Sequence, residues 1–232
     1  MALAGLFVAG GFAVAQGWSL QEFSWSTWVA GLVYTWACVV TGGIQAIFTA
    51  RDRKGIYEDR LPFLEGVPKW AFLVVVVVVV IPLGAVALYL YTFLFGLYGL
   101  LLSFFAEMEP HSLFGRNGFI NSDFFTPVTF LLLSFWPMVA GTLIANQEDL
   151  VRGDPWRRMA LPASTEMIRI HVLVVAMPFL AFLTWALLGD RYHGVAVALL
   201  MGIFYLLPKK PPGKGDADRT GSGQDPDSDP TP

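Results

Sequence analysis

The chain has 232 residues, 55% hydrophobic and 14% charged, where a soluble domain carries about 25% charged residues. Its net charge of −3 gives no ground for a nucleic-acid partner, and its single cysteine, Cys38, excludes an intrachain disulfide and a cysteine metal cage. The apolar residues come in unbroken blocks rather than in alternation, so the expected class is all-α, a polytopic helical membrane protein, and not a β-barrel.

Six apolar segments follow one another, at about 2–15, 28–50, 70–105, 124–145, 168–188 and 194–207. The first and last are short for a span, which needs about 20 apolar residues. Ala13-Val14-Ala15 in the first has the look of a signal-peptidase site, but no Lys or Arg precedes the apolar run. The second contains Cys38, read as a small buried hydrophobe. The third has no charge between residues 71 and 105. As one helix it would be about 52 Å long, well beyond a hydrocarbon core of about 30 Å. It is expected to run unbroken from near Trp70 to near Phe105, kinked around Pro82. Its outer overshoot would then need cover from the loop 106–123 or from a partner subunit.

Charge placement sets the expected topology. With six spans, thirteen of the fifteen Lys and Arg fall on one face. They cluster at residues 51–69, 152–169 and 209–219. The positive-inside rule makes that face cytoplasmic, with both termini inside. The expected location is the cell (inner) membrane. Trp18, Trp25, Trp28 and Trp70 are expected at membrane interfaces, and Trp36 and Trp136 packed between helices. Residues 1–208 form the helical domain. Residues 209–232, rich in Pro, Gly, Ser and Asp, are expected to be a disordered cytoplasmic tail.

Candidate chemistry is sparse. The segment centres hold no ionisable residue. Their polar residues include Gln45, Thr92 and Thr142, which more often bond across helices than bind substrate. Outside the membrane, Glu107, Glu109 and His111 could approach a divalent cation, although Pro110 breaks any common helical face. At the inner end of the fifth segment, Glu166 and Arg169 are spaced to pair, and His171 lies further round the helix. No phosphate loop, nucleophile elbow, zinc-protease signature or dinucleotide fingerprint occurs, so no cofactor is expected. Gly42-Gly43 and Gly96-Leu97-Tyr98-Gly99 permit close helix approach.

Gly17-Trp18-Ser19-Leu20-Gln21-Glu22, placed between the first two spans, resembles a motif of a prokaryotic family of multi-pass membrane proteins with a domain of unknown function. The long third span, Phe124-Phe125 opening the fourth, and Arg169 with His171 opening the fifth follow the same order. The resemblance covers most of residues 1–208 and implies six spans without implying an activity. The family's acidic-and-amide pair in the second span is Tyr34-Thr35-Trp36 here, and its histidines in the third and fourth spans are missing. The expected roles are therefore an integral membrane protein without a catalytic motif, a small-solute carrier or channel, a membrane-embedded enzyme, or an accessory subunit. Expected partners are the lipid bilayer and either a second copy of the chain or a membrane partner subunit.

Overall fold

The computed structural model describes residues 2–52, 68–103, 125–151 and 154–160, with isolated positions at 183, 186, 187 and 199. Every element among them is helical. In chain order they are α1 (Ala2–Gln16), α2 (Leu20–Asp52), α3 (Lys69–Ser103), α4 (Phe125–Ser134), α5 (Trp136–Ala145), α6 (Gln147–Val151) and α7 (Pro155–Ala160).

The turn between α1 and α2 is built by local chemistry. Gly17 has φ 62°, the left-handed conformation that only glycine adopts cheaply. It lets Trp18 N–H donate to the Ala13 carbonyl at 2.9 Å, and Gly17 N–H to the Val14 carbonyl at 3.2 Å. That pair of bonds is a Schellman motif. Two residues on, Ser19 opens α2 with a capping box. Its N–H donates to Glu22 Oε2 at 2.7 Å, and Glu22 N–H donates to Ser19 Oγ at 3.2 Å. Residues 17–22 thus close one helix and open the next within three intervening residues.

α2 and α3 run antiparallel, since Trp28 meets Phe95 and Gly99 while Gly43 meets Val80. Trp28 Nε1 donates to the Phe95 carbonyl at 2.8 Å, and Trp36 Nε1 donates to Thr92 Oγ1 at 2.9 Å. Gly99 makes room for the indole, because a Cβ there would lie 3.3 Å from the Trp28 ring. Trp18, Trp25 and Trp28 are therefore core residues and not interface anchors. Only Trp70, 71% exposed, keeps the expected interfacial character. An indole needs one hydrogen-bond partner, and a helix carbonyl serves as well as a head group. Trp136 packs edge-on against Phe12 of α1, between helices as expected, although it is 54% exposed. Cys38 is buried.

The third apolar block is one helix, continuous through Pro82. Its C-terminal end is covered by α2, with Phe95, Gly96, Gly99 and Leu102 buried. The loop expected to act as a cover lies outside the described residues. The fourth block is not one straight helix. It breaks at Phe135 into α4 and α5, bent by 79°. Pro137 stands in the first turn of α5, where its missing N–H costs nothing. The Phe135 ring is held edge-on by Trp18 at 5.2 Å. α1 packs along α5, with Ala9 and Ala13 buried in the shared core.

Two helices, Leu20–Asp52 and Lys69–Ser103, are long and apolar enough to cross a membrane, and the bent pair makes a third if it counts as one span. The described residues thus carry two or three membrane-length elements where six were expected. The fifth and sixth apolar segments and the tail fall outside them.

Candidate functional site

The six residues singled out from sequence, Glu107, Glu109, His111, Glu166, Arg169 and His171, all lie outside the described residues, so the structure brings none of them together. Among the described residues no group of three His, Cys, Asp or Glu side chains could hold a metal ion. The chemistry sits elsewhere, where α7 enters the bundle.

α7 begins with Asp154 as its cap, Oδ1 accepting from Trp156 N–H at 3.0 Å, and with Pro155 as its first residue. It lies directly against α2. A Cβ on Gly42 would fall 2.9 Å from the Pro155 carbonyl oxygen and 3.0 Å from Met159 N. Met159, fully buried, reaches between the two long helices, its Sδ close to where a Cβ would stand on Gly43 and Gly84. This insertion carries Arg158 inward to 7% exposure. Its hydrogen-bonding partner Gln45 lies seven residues before Asp52, about 10 Å along α2 from the charged end of that helix.

Arg158 spends two of its donor groups within the fold. Nη1 donates to the Asp149 carbonyl at 3.2 Å, and Nη2 donates to Gln45 Oε1. Gln45 in turn donates through Nε2 to the Val151 carbonyl at 3.2 Å. Asn146 closes α5, its Nδ2 donating to the Thr142 carbonyl at 2.8 Å, and its own carbonyl accepts from Asp149 N–H at 3.0 Å. Thr142, Asn146, Asp149, Arg158 and Gln45 are thereby joined in one chain of contacts.

Three atoms in this chain have no partner: Arg158 Nε, Asn146 Oδ1 and Thr142 Oγ1. All three belong to residues at most 7% exposed. Buried polar groups are ordinarily satisfied, and each unmet one costs about 1–3 kcal/mol. The set offers one donor, one acceptor and one hydroxyl that can act as either. These two hydrogen bonds of Arg158 end on neutral oxygens, the Asp149 carbonyl and the Gln45 amide.

Gln45 and Thr142 stood out in the sequence as polar residues of spans. Arg158 stood only as one of the basic residues marking the inner face. The signal that points to it is local: an Asp-Pro helix start at 154–155 and a Gly42-Gly43 step that lets a backbone approach. The end of α2 and the start of α3 hold a cleft of about 320 Å³ among Ala50, Arg51, Asp52, Lys69, Trp70, Phe72 and Leu73. Its charges are of both signs and lie at the exposed helix ends. No family model, curated protein or solved structure matches the chain.

Proposed function

We propose that this chain is a six-span protein of the inner membrane, with both termini cytoplasmic, that binds a small polar solute at the buried polar network around Arg158. The observation that carries this reading is the trio of unpartnered polar atoms on Arg158, Asn146 and Thr142 within one connected network. An ionisable side chain buried among membrane helices is expensive and commonly marks a ligand path. The topology rests on the charge asymmetry and on the two long apolar helices. The likeness to the prokaryotic multi-pass family is part of the proposal and adds no activity to it.

Cysteine accessibility tests the reading. In a Cys38→Ala background, Thr142→Cys and Asn146→Cys should react with a small charged thiol reagent from the cytoplasmic side only. Silence from both sides would mean a sealed structural network. Reporter fusions after Lys69, Arg158 and Lys214 should report cytoplasm, and those after Arg116 and Tyr192 the outside.

A second reading, an accessory subunit, is favoured by α3. Only 22% of its most apolar stretch is buried, against 50% for α2. Photo-crosslinkers at Val78 and Val86, both exposed, should then capture another membrane protein. Capture of lipid alone would count against this second reading.

A further inference from the structure

We infer that the cleft between the end of α2 and the start of α3 seats the head group of an aminophospholipid, a phosphodiester and a primary ammonium carried on one molecule. The inference goes beyond the solute-binding reading and concerns a separate site. It needs only that α2 and α3 cross a bilayer, for which both are long and apolar enough. The cleft measures about 320 Å³, and Arg51, Asp52, Lys69 and Trp70, all exposed, line it together. Buried Ala50 and Phe72 add apolar wall. A simple anion there would meet Asp52, and a simple cation would meet Arg51 and Lys69. Arg51 and Asp52 are consecutive on α2, and consecutive helical side chains do not face each other, so they can take opposite ends of one ligand. Lys69 and Asp52 are each set against the dipole of its own helix. Lys69 is the first residue of α3, where the helix end is partly positive, and Asp52 is the last of α2, where it is partly negative. A phosphodiester beside Lys69 and an ammonium beside Asp52 relieve both.

The surroundings favour a lipid over a soluble phosphoamine. Trp70 is an exposed indole at the end of a membrane-length helix, which places the cleft at head-group depth. From it a stripe of exposed apolar side chains climbs α3: Trp70, Val74, Val78 and Ile81, spaced four, four and three residues apart and so on one face. A lipid with its head in the cleft can lay an acyl chain along this stripe for about 16 Å, the rise of eleven helical residues. The charges also sort lipids. Phosphatidylglycerol brings the phosphate without an ammonium and sets its charge beside Asp52. Phosphatidylcholine brings both charges, but its quaternary nitrogen has no N–H for the carboxylate. Phosphatidylethanolamine brings both, and its ammonium donates to Asp52 in a charge-assisted bond.

The test uses the full-length purified chain, delipidated in detergent and titrated with one phospholipid at a time, with bound lipid counted by native mass spectrometry. Phosphatidylethanolamine should bind about tenfold more tightly than phosphatidylcholine or phosphatidylglycerol, the effect of one charge-assisted hydrogen bond. Glycerophosphoethanolamine, which keeps the head group and lacks the chains, should compete only weakly. Displacement by it at the concentration of the intact lipid would assign a soluble phosphoamine and overturn the lipid. Asp52→Asn should erase the preference over phosphatidylcholine, whereas Lys69→Gln should weaken both lipids alike, since both carry the phosphate. Both side chains are exposed, and the unfolding midpoint without lipid checks that each variant keeps its fold. The wild-type comparisons stand even if a variant does not. Equal binding of phosphatidylethanolamine and phosphatidylcholine overturns the inference, as does tightest binding of phosphatidylglycerol. An unchanged preference in Asp52→Asn would put the lipid elsewhere on the chain and refute the cleft. Labelling of positions 142 and 146 bears only on the network around Arg158, so the two readings fail separately.

Discussion

Gly42 is where the α7 insertion is most exposed to perturbation. A methyl group added there would sit 2.9 Å from the Pro155 carbonyl oxygen, 3.0 Å from Met159 N and 3.2 Å from Met159 Cβ. The two nearest atoms are backbone, so no rotamer change relieves the contact, and α7 must move away from α2. Overpacking of this kind costs about 1–3 kcal/mol. Alanine also has a higher helix propensity than glycine, by up to about 1 kcal/mol, which offsets part of the loss. Gly11→Ala supplies the correction, because Gly11 lies in a helix with nothing within 4 Å of its would-be Cβ. The stability difference between Gly42→Ala and Gly11→Ala should therefore be about 1–3 kcal/mol, read by denaturant titration of tryptophan fluorescence. Displacement of α7 should also weaken the Arg158 contact with Gln45. A Gly42→Ala protein as stable as Gly11→Ala would refute the packing of α7 on α2.

Other expectations follow from named contacts. Trp28→Phe removes the buried donor to the Phe95 carbonyl and should cost about 0.5–1.5 kcal/mol in the same titration. Ser19→Ala should cost about 0.5–2 kcal/mol, and adding Glu22→Ala should cost less than the sum of the two singles, because each residue caps the other. Met159→Ala opens a cavity between α2 and α3 and should cost about 2–5 kcal/mol. Deleting residues 211–232, which hold no apolar residue beyond Ala217, should leave membrane insertion and the unfolding midpoint unchanged; a large loss of folded protein would show that the tail docks.

Block hydropathy placed helices at about 2–15, 28–50 and 70–105, close to α1 and α3 but eight residues late for α2, which opens at Leu20 behind the Ser19 capping box. It did not locate the break in the fourth block. Pro82, Pro127 and Pro137 look alike in sequence, yet Pro82 sits inside a continuous helix and Pro127 in the first turn of α4. Only Pro137 adjoins a bend, where Trp18 and Phe12 grip Phe135 and Trp136 from another helix. Proline weakens a turn; tertiary packing decides whether the turn opens. The tryptophans show the same limit. An indole near a span end reads as an anchor whether it faces lipid, as Trp70 does, or donates to a helix carbonyl, as Trp28 does. Arg158 was hidden for a related reason. A charge in a connecting segment counts toward topology, and the Asp154-Pro155 helix start and the distant Gly42-Gly43 step carry no sign in sequence that they meet.

A turn that caps the helix ends on both of its sides leaves few backbone groups in need of water. At the turn joining α1 to α2, the Ala13 and Val14 carbonyls and the Ser19 and Glu22 N–H groups all find partners within residues 13–22, and the Trp18 indole donates to Gln16 at 2.8 Å. An ordinary interhelical loop must stop where water begins, because its backbone would otherwise go unsatisfied. This one carries much of its own solvation. A first helix of 15 residues, about 22 Å long, can therefore end short of the far head groups and still be a stable end. Yet α1 packs along α5 and not along α2, so it finds its place only once residues 136–145 have been made.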